Sequence, residues 1–367
     1  MKLYIEKPLL QEAINTAIRA VPAKSSVPAL EGLLLDASGE TMTVSAYNMS
    51  LGIRTRYSAE IEREGRIVVN AKLFSEIVRK MPDDTVMLDC GENYAMSLDC
   101  GNTHYNIMAM SADEYPELPE IGETESLEIA ESTLKSMIGE TIFAVSTNET
   151  RPVQTGELFE VENGNLHVVA CDGFRLALRT EPVESGNVEF IVPGSTLGEV
   201  ERLCAESKSM VRIAVGGRHI MFFIGETELI SRRLEGEFID WRNVLPKENK
   251  ITVKLNAKEM ARCIDRVSVV VNDKLKSPIR CGIGSGEITL STKTSIGAAN
   301  DRCKIDGDGE GFEIGFNGRF LADVFRFVPQ NELSMGFTTP TSGAVLKPAD
   351  GDGQFVYLVL PTRLKKE

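Results

Sequence analysis

The sequence predicts an α+β protein built from three tandem units that repeat about every 123 residues. Two strand-to-helix patterns and the chain length indicate this fold class. The chain has 367 residues, 42% of them hydrophobic, and a single core seldom grows beyond ~250–300 residues. Internal similarity at a fixed period is typical of repeated structural units. We therefore expect several similar domains in series.

The first pattern is a strand followed by a helix, and it opens each unit. The copies are KLYIEKPLLQEAINTAI from Lys2, SLEIAESTLKSMIGETI from Ser126 and ITVKLNAKEMARCIDRV from Ile251. In the first copy Leu3 and Ile5 follow the two-residue period of a strand, and the apolar residues after Pro8 follow the helical period. Pro8 suits the first turn of a helix, and we expect Ser132 and Asn256 to be N-cap residues of the equivalent helices.

A second strand-to-helix pattern recurs at tighter spacing. Its copies are RIVVNAKLFSEIVRKMP, EFIVPGSTLGEVERLC and FEIGFNGRFLADVFRFV, in which Val69, Val192 and Gly315 are 123 residues apart. Turn signals such as ASGE, ENGN, VGGR and GSGE predict hairpins between the remaining strands. The units end in DEYPELP, EFIDWRNVLP and VYLVLPTRL, each expected to be a strand that closes on a proline. Each unit should thus contain several strands and two helices.

Polar, turn-rich stretches mark the boundaries between units. GETE and PKENK separate a closing strand from a new opening strand. We place the domains at residues 1–124, 125–249 and 250–367. Similar domains in a head-to-tail series make heterologous contacts, which either close into rings or grow into filaments. Ring closure is therefore one assembly that the sequence suggests.

Composition favours a soluble protein of the cytoplasm. No run approaches the ~18–20 apolar residues of a membrane span, and the opening MKLYIEKPLL lacks the apolar stretch of a signal peptide. The chain carries 40 Lys and Arg against 54 Asp and Glu, a formal charge of −14. Net charge does not exclude a nucleic-acid partner, because an acidic exterior can surround a basic groove.

Cysteine and histidine usage predicts neither a disulfide framework nor a metal centre. Seven cysteines occur without a C-x-x-C motif, and an odd number cannot all be paired. Cys90 and Cys100 would flank a hairpin, but we expect reduced thiols throughout. The three histidines have no neighbouring Cys or His, so no zinc signature is present. We expect no cofactor.

Motifs that resemble catalytic or ligand-binding signatures are weak. GIGSG at 282–286 precedes a strand instead of the helix that a phosphate cradle requires, and we expect a hairpin turn there. The acidic DGDGEG stretch at 306–311 lacks the glutamate that completes a calcium loop, since Asn317 stands at its twelfth position. Asp172 is the acidic residue framed by apolar runs on both sides. An enzyme, perhaps a hydrolase using Asp172, stays as an alternative, although Arg175 can neutralise that carboxylate.

Five segments carry a resemblance to a known family. They are VPALEGLLLDA (27–37), TRPVQTGELFE (150–160), ACDGFRLAL (170–178), FNGRFLADV (316–324) and VYLVLPTRL (356–364). Together with the threefold repeat, they closely resemble the bacterial DNA polymerase III beta subunits, the sliding clamps, over essentially the whole chain.

The resemblance implies three copies of the DNA-clamp fold and a homodimer whose six domains form a ring, with helices inside and sheets outside. It implies a non-catalytic processivity subunit that encircles double-stranded DNA without reading its sequence. It also implies tethering of the DNA polymerase III alpha subunit and binding of the clamp loader and repair proteins. A monomeric scaffold that binds peptides without encircling DNA is the remaining alternative.

By motif, the resemblance assigns a pocket for short partner peptides. Its residues would be Cys171, Gly173, Phe174, Arg175, Leu176, Ile239, Val244, Asn317, Phe320, Leu358, Val359, Leu360, Pro361, Thr362, Arg363 and Leu364. Peptide preference is expected to differ from the family pattern, because Cys171, Phe174, Gln154 and Ile239 depart from its common residues. Residues 365–367 extend past the usual terminal leucine.

The resemblance also assigns DNA and dimer contacts. Helix-borne cations would line the DNA channel: Lys72, Arg79, Lys80, Lys135, Arg202, Arg262, Arg266, Arg319 and Arg326. The assigned DNA contacts are Lys24, Lys72 and Asn148, and the assigned dimer contacts are Tyr105, Ile107, Val269 and Val270. Sparse phosphate contacts suit a protein that slides along DNA.

Overall fold

Strands and helices follow one another in the order that the repeats predict. A computed structural model of the protein describes residues 1–122, 125–271, 277–351 and 354–364. The first repeat contains β1 (Lys2–Glu6), α1 (Lys7–Ala17), β2 (Gly32–Ser38), β3 (Thr41–Tyr47), β4 (Leu51–Ser58), β5 (Glu60–Arg63), β6 (Gly65–Asn70), α2 (Ala71–Lys80), β7 (Thr85–Cys90), β8 (Ala95–Cys100), β9 (Thr103–Met108) and β10 (Met110–Ser111).

The second and third repeats have the same plan. The second contains β11 (Glu125–Ala130), α3 (Glu131–Thr141), β12 (Gly156–Glu162), β13 (Asn165–Cys171), β14 (Arg175–Pro182), β15 (Val188–Pro193), α4 (Gly194–Leu203), β16 (Met210–Val215), β17 (His219–Ile224), β18 (Thr227–Arg232) and the short α5 (Trp241–Val244). The third contains β19 (Ile251–Asn256), α6 (Ala257–Ser268), β20 (Ile279–Thr294), β21 (Gly297–Phe316), α7 (Gly318–Phe327), β22 (Glu332–Phe337), β23 (Ala344–Pro348) and β24 (Phe355–Val359).

The chain divides into two compact units that cut across the second repeat. Unit 1 comprises Met1–Ser132 and Glu199–Arg233, and unit 2 comprises Thr133–Gly198 and Leu234–Glu367. Unit 1 holds a five-stranded sheet, β5-β1-β7-β8-β9, and a nine-stranded sheet, β10-β6-β2-β3-β4-β18-β17-β16-β11. Unit 2 holds a ten-stranded sheet, β15-β12-β13-β14-β24-β23-β22-β19-β21-β20. The strand pairs β4–β18 and β14–β24 join successive repeats by antiparallel pairing.

Corresponding strands of the two units keep the same register. In unit 1 Tyr47 pairs with Gly52 across β3 and β4. In unit 2 Cys171 pairs with Leu176 across β13 and β14. Cys171 lies 124 residues after Tyr47, and Leu176 lies 124 residues after Gly52. Positions that face the same side of the sheet can therefore be compared directly between the units, because side chains alternate between faces with a period of two.

The helices begin where strand pairing ends, and asparagine side chains cap three of them. The Oδ1 atoms of Asn70, Asn256 and Asn317 accept hydrogen bonds from backbone N–H groups in the first turns of α2, α6 and α7. Such caps satisfy donors that have no partner within the helix. α1 packs on α2 and β4 in unit 1, and α6 packs on α7, β20 and β21 in unit 2. The apolar stripes of these helices thereby cover the sheets.

Two sequence predictions about these helices and strands were wrong. Ser132 is not an N-cap, because α3 begins one residue earlier, at Glu131; Ser132 lies in the first turn, as Pro8 does in α1. The 282–286 stretch is not a hairpin turn. It lies inside β20, where the pairing with β21 shifts register around Ser285. Glycine tolerates such bulges, and Gly286 has a φ of +76°.

The predicted closing strands form only in the third repeat. There β24 ends at Val359, just before Pro361. DEYPELP in the first repeat is without regular structure, and the second repeat places α5 in its EFIDWRNVLP segment. The Asp240 carboxylate caps α5 by accepting from the Asn243 N–H. This cap favours a helical turn over the strand that was predicted for the segment. All seven cysteines are free and buried.

Candidate functional site

An apolar cluster in unit 2 forms the floor of the candidate site. β13, β14 and β24 lie side by side, so that Cys171 pairs with Leu176 and Leu176 pairs with Leu358. The buried cluster comprises Leu158, Val169, Cys171, Leu176, Leu178, Ile191, Trp241, Val345, Val356 and Leu358. Ile239 packs against it, half-buried. Burial raises the pKa of the Cys171 thiol, which makes it an apolar lining group and a poor nucleophile.

A tight turn between β13 and β14 presents an aromatic ring to solvent. The Asp172 carboxylate accepts hydrogen bonds from the backbone N–H groups of Phe174, at 2.8 Å, and Arg175, at 3.0 Å. Gly173 has a φ of +86°, a conformation that favours glycine. The turn leaves Phe174 59% exposed, which is unusual for a large apolar side chain unless a partner covers it.

Arg175 ties this turn to helix α7. Its guanidinium donates to Asp172 at 3.0 Å and to Asp323 at 2.6 Å. The same group lies over the Phe320 ring, 4.7 Å from the centroid, a cation–π geometry. Asp172 is therefore held by two backbone donors and one guanidinium. These hydrogen bonds give the Asp172 carboxylate a structural role, which is to orient the loop.

Phe174 and Phe320 form the aromatic wall of the site. Their rings are stacked, with centroids 5.6 Å apart. Asn317, predicted as a pocket residue, acts here through the helix, because its side chain accepts from the N–H groups of Arg319 and Phe320 and so fixes the first turn of α7. We call the apolar cluster, Ile239 and this ring pair the apolar groove.

The segment after β24 runs along one border of the groove. The Leu360 N–H donates to the Phe174 carbonyl at 2.8 Å, and the Thr362 N–H donates to the Gly315 carbonyl at 2.8 Å. Gly315 is needed there, since a Cβ atom would lie 2.7 Å from the Thr362 carbonyl oxygen. Pro361, Thr362, Arg363 and Leu364 line a cavity of about 620 Å³. Residues 365–367 lie outside the described residues.

The structure thus brings most of the predicted pocket residues together, with two exceptions. Val359 packs with Phe355 and Tyr357 in the other buried core of unit 2, on the opposite face of β24 from Leu358. Val244 is exposed at the end of α5 and is outside the buried cluster. Gln154 is buried in the one-turn helix 152–155. Sequence reasoning missed Trp241, Val345 and Val356. The two valines lie in the continuous apolar runs AVL and FVYLV, so no local alternation marks which of these side chains face the cluster.

The predicted DNA contacts are exposed, and they lie on separate elements. Lys24 is in the loop after α1 and Lys72 is in the first turn of α2, both in unit 1, whereas Asn148 is in a turn of unit 2. Arg202 and Arg266 are held in ion pairs with Glu199 and Asp301. Within the described residues, the exposed cations with no ion pair on helices are Lys72, Arg79, Lys80, Lys258, Arg262, Arg319 and Arg326.

The predicted dimer contacts lie at sheet edges and helix ends. Tyr105 and Ile107 are half-buried on β9, the edge strand of the five-stranded sheet in unit 1. In unit 2, Val269 is 80% exposed just after α6, and Val270 follows it. Sequence reasoning missed three further exposed apolar residues: Leu73, Met108 and Ile296. Exposed apolar side chains at an unpaired strand edge invite association with another chain.

Metal and membrane sites were also sought in the part of the chain that the structure describes. No group of three or more His, Cys, Asp or Glu side chains there could hold a metal ion. No described helix is long and apolar enough to cross a membrane.

Comparison with known proteins covers the whole chain. Three family models match in series: the N-terminal domain of the DNA polymerase III beta subunit at residues 1–119, its central domain at 128–240 and its C-terminal domain at 242–363. The beta sliding clamp of Halalkalibacterium halodurans is 30% identical over 99% of this chain and 100% of its own. That of Bacillus subtilis is 29% identical over 99% and 100%.

Solved structures agree with the sequence relatives. The Bacillus subtilis DNA polymerase sliding clamp aligns over 100% of both chains with a TM-score of 0.95 and 28% identity. The DNA polymerase III beta subunit of Thermotoga maritima aligns over 99% of this chain and 100% of its own, with a TM-score of 0.91 and 27% identity. The chain therefore belongs to the DNA polymerase III beta subunit family, with three tandem clamp domains, and is a sliding clamp of DNA replication, a processivity factor and not an enzyme.

Proposed function

We propose that two copies of this chain close into a six-domain ring around duplex DNA and hold the replicative polymerase on its template. The observation that carries the proposal is the threefold repeat, which supplies two long helices per repeat, with exposed cations without ion pairs on α2, α6 and α7. A ring converts repeated dissociation of the polymerase into an intramolecular event at high effective concentration. The ring would act in the cytoplasm, with domains at 1–124, 125–249 and 250–367.

DNA would be held loosely by scattered cations. Lys24, Lys72 and Asn148 are the proposed contacts, and each is exposed on a different element. Phosphate contacts of this kind fix position without specifying sequence. A ring that depends on few contacts can slide, because no single one has to be broken at high cost.

The ring would close through apolar surface at sheet edges. Tyr105 and Ile107 of one protomer are proposed to meet Val269 and Val270 of the other. Leu73, Met108 and Ile296 extend the exposed apolar surface of the two units. The edge strands β9 and β20 each leave one side without a partner strand in their sheets, which suits pairing between chains.

The apolar groove is the proposed docking site for a short peptide motif of the DNA polymerase III alpha subunit, the clamp loader and repair proteins. An apolar floor with a few fixed polar groups is how such peptides are anchored. The proposed residues are Cys171, Gly173, Phe174, Arg175, Leu176, Ile239, Val244, Asn317, Phe320, Leu358, Val359, Leu360, Pro361, Thr362, Arg363 and Leu364.

Retention on circular DNA tests the encircling mechanism. The purified protein is loaded on nicked circular DNA by the matching clamp loader with ATP, and retention is measured before and after linearisation. We expect loss from linear DNA only, since a protein held by phosphate contacts alone is indifferent to DNA ends. Equal retention on both forms would contradict the ring. Retention on neither, with loading verified on a known clamp, would favour a monomeric peptide-binding scaffold.

A charge placed on the proposed dimer surface tests ring closure separately. Val269→Glu adds a carboxylate to a side chain that is 80% exposed, so the fold should be unaffected while the dimer dissociates. Sedimentation equilibrium should then give the mass of one chain. Met210→Glu is the matched control. Met210, in unit 1, is exposed as Val269 is, and it is not part of the proposed interface. Dissociation by both variants, or by neither, would overturn the assignment of Val269.

A further inference from the structure

Two cysteines of unit 2 place their thiols in contact inside the core. Cys263 lies on α6 and Cys303 lies on β21, 40 residues apart in sequence. α6 packs on β21, and the two thiols lie within hydrogen-bond distance of each other. Both side chains belong to the same apolar cluster, at 3% and 2% exposure. The proposed function uses neither thiol.

The neighbouring groups hold the Cys263 sulfur against the backbone beside Cys303. Cys263 Sγ donates to the Arg302 carbonyl oxygen at 3.4 Å, and this carbonyl belongs to the peptide bond that leads into Cys303. Arg266 Nη2 donates to Cys263 Sγ at 3.3 Å, and the same guanidinium is paired with Asp301. Three consecutive residues of β21, 301–303, therefore contact one turn of α6.

The pair of cysteines that flanks a hairpin in the sequence has no such geometry. Cys90 and Cys100 end the neighbouring strands β7 and β8. In that ladder Cys90 pairs with Met96, which lies four residues before Cys100. At ~3.3 Å per residue the Cα atoms of Cys90 and Cys100 are ~13 Å apart, beyond the ~7 Å that a disulfide can span. The geometry for thiol chemistry is therefore found at Cys263 and Cys303.

The two thiols of this pair are not equivalent. Burial raises the pKa of the Cys303 thiol to about 12. Burial and then Asp301 raise the pKa of the Cys263 thiol as well, whereas Arg266 and the hydrogen bond with Cys303 lower it, and Glu259 acts in the direction of burial. A thiolate is the nucleophile in thiol chemistry, so Cys263 is the sulfur that reacts first with an oxidant. Its burial makes this first step slow.

We propose that Cys263 and Cys303 are a modification site at which hydrogen peroxide converts the two thiols into a disulfide between α6 and β21. The Cys263 thiolate attacks one peroxide oxygen, the O–O bond breaks, and the sulfur becomes a sulfenic acid while the leaving hydroxide takes up a proton. The Cys303 sulfur then attacks the sulfenic sulfur, the S–O bond breaks, and water leaves. Two thiols are oxidised, and one hydrogen peroxide is reduced to two molecules of water.

The disulfide would protect the site and change one contact of a cation. A thiol that resolves the sulfenic acid prevents its further, irreversible oxidation. The bond would also replace a hydrogen-bonded contact between α6 and β21 by a covalent one, and it would change the sulfur to which Arg266 donates. The inference depends neither on the ring nor on the apolar groove, because it concerns only the contact of α6 with β21.

Peptide mapping of the full chain tests the proposal. The protein is treated with hydrogen peroxide, the remaining thiols are blocked with N-ethylmaleimide in denaturant, and the sample is digested with trypsin without reduction. Trypsin cleaves at Arg or Lys on both sides of each cysteine, so peptides 263–266 and 303–304 should appear as one linked species. We expect five blocked thiols per chain instead of seven, and we expect dithiothreitol to separate the linked peptides.

Two variants and one condition locate the reaction. Cys303→Ala removes the resolving thiol, so dimedone should trap a sulfenic acid at Cys263 and no disulfide should form. Cys90→Ala, in unit 1, is the matched control and should leave the linked species unchanged. Oxidation of the wild-type chain in denaturant should remove the preference for this pair, because the fold and not the sequence brings the thiols together.

The mapping of the wild-type chain needs no variant and decides the question by itself. Seven blocked thiols after peroxide treatment, or a disulfide that links any other two cysteines in the folded chain, would overturn the proposal. The same would follow if the linked species formed equally well in denaturant, or if dimedone labelled Cys303 in Cys263→Ala faster than it labelled Cys263 in Cys303→Ala.

Discussion

The apolar groove of unit 2 and a cleft of about 610 Å³ on the nine-stranded sheet of unit 1 are built on corresponding strands. The lining of the unit 1 cleft includes Arg54, Arg56 and Glu228, whereas the floor of the groove is apolar. In the cleft Arg54 pairs with Glu228 across β4 and β18. In the groove Leu178 pairs with Val356 across β14 and β24, with Leu178 lying 124 residues after Arg54. One backbone plan therefore carries an ion pair in one unit and two aliphatic side chains in the other.

The turn between β3 and β4 and the corresponding turn between β13 and β14 show the same contrast. In unit 1 the Asn48 side chain accepts from the N–H groups of Ser50 and Leu51, just as Asp172 does in unit 2. Ser50 therefore stands where unit 2 has Phe174. The hydrogen bonds of the turn are kept in both units, whereas the exposed ring occurs in one. The hydrogen bonds that hold the turn therefore do not dictate which side chain it presents to solvent.

The largest expected effect comes from moving the ion pair into the groove. Leu178→Arg with Val356→Glu replaces two side chains that are 4% and 8% exposed. Burying two charges costs several kcal/mol and removes ~2 kcal/mol of apolar burial per side chain, so the unfolding free energy should fall by at least ~4 kcal/mol. Urea denaturation measures this loss, and binding of the polymerase peptide should be lost as well.

The reciprocal exchange is the control. Arg54→Leu with Glu228→Val makes the cleft resemble the groove, and because this pair is partly exposed the unfolding free energy should change by no more than ~1 kcal/mol or should rise. Similar losses of unfolding free energy in the two double variants would contradict the difference in burial between the two residue pairs.

The second prediction compares a buried arginine with an exposed one. The Arg175 side chain is 8% exposed and serves both Asp172 and Asp323. Arg175→Met should cost ~3 kcal/mol of unfolding free energy, because it leaves two carboxylates without their cation. Arg56→Met should cost less than ~1 kcal/mol, since its side chain is 40% exposed. Thermal and urea unfolding of both variants check the ranking, and a reversed order would refute it.

The third prediction concerns binding without a change in stability. Phe174→Ala removes an exposed ring that stacks on Phe320. The affinity for a peptide carrying the clamp-binding motif of the matching polymerase should fall about tenfold, the usual effect of losing an aromatic anchor. Met49→Ala, at an exposed turn of unit 1, is the matched control and should not alter binding. An unchanged affinity in Phe174→Ala would show that the Phe174 ring does not contribute to peptide binding.

The contrast also shows what sequence alone could predict. Helices α1 and α6 followed from apolar spacing and from Pro8 and Asn256, because these signals act within one turn. The pairing of β14 with β24 joins residues about 180 positions apart in sequence, so neither Val345 nor Val356 could be placed beside Cys171 by local pattern. The cleft of unit 1 could not be predicted for the same reason. Arg54 and Glu228 meet only after β4 and β18 pair across two repeats.

The smallest effect expected is a pH response of the Trp241 fluorescence, which reports on the groove side of the molecule. His167 shares a hydrogen bond of 2.9 Å with the Thr180 hydroxyl and lies 5.4 Å from the Trp241 ring. Burial lowers the pKa of His167, Arg242 lowers it further, and Glu160 and Glu162 act in the opposite direction. The equivalent position of unit 1 is Thr43, which does not titrate.

The sign of this response follows from linkage. With its pKa lowered in the folded state, His167 is protonated more readily in the unfolded chain, so its contribution to stability is complete above a pH of ~6.5 and is lost as the pH falls below that value. Trp241 is the single tryptophan of the chain, and its fluorescence should titrate with a midpoint below ~6.5. His167→Gln should abolish the transition. His219→Gln, in unit 1, should leave the transition in place. If the transition is lost in His219→Gln and kept in His167→Gln, the response belongs to His219 and the prediction is wrong.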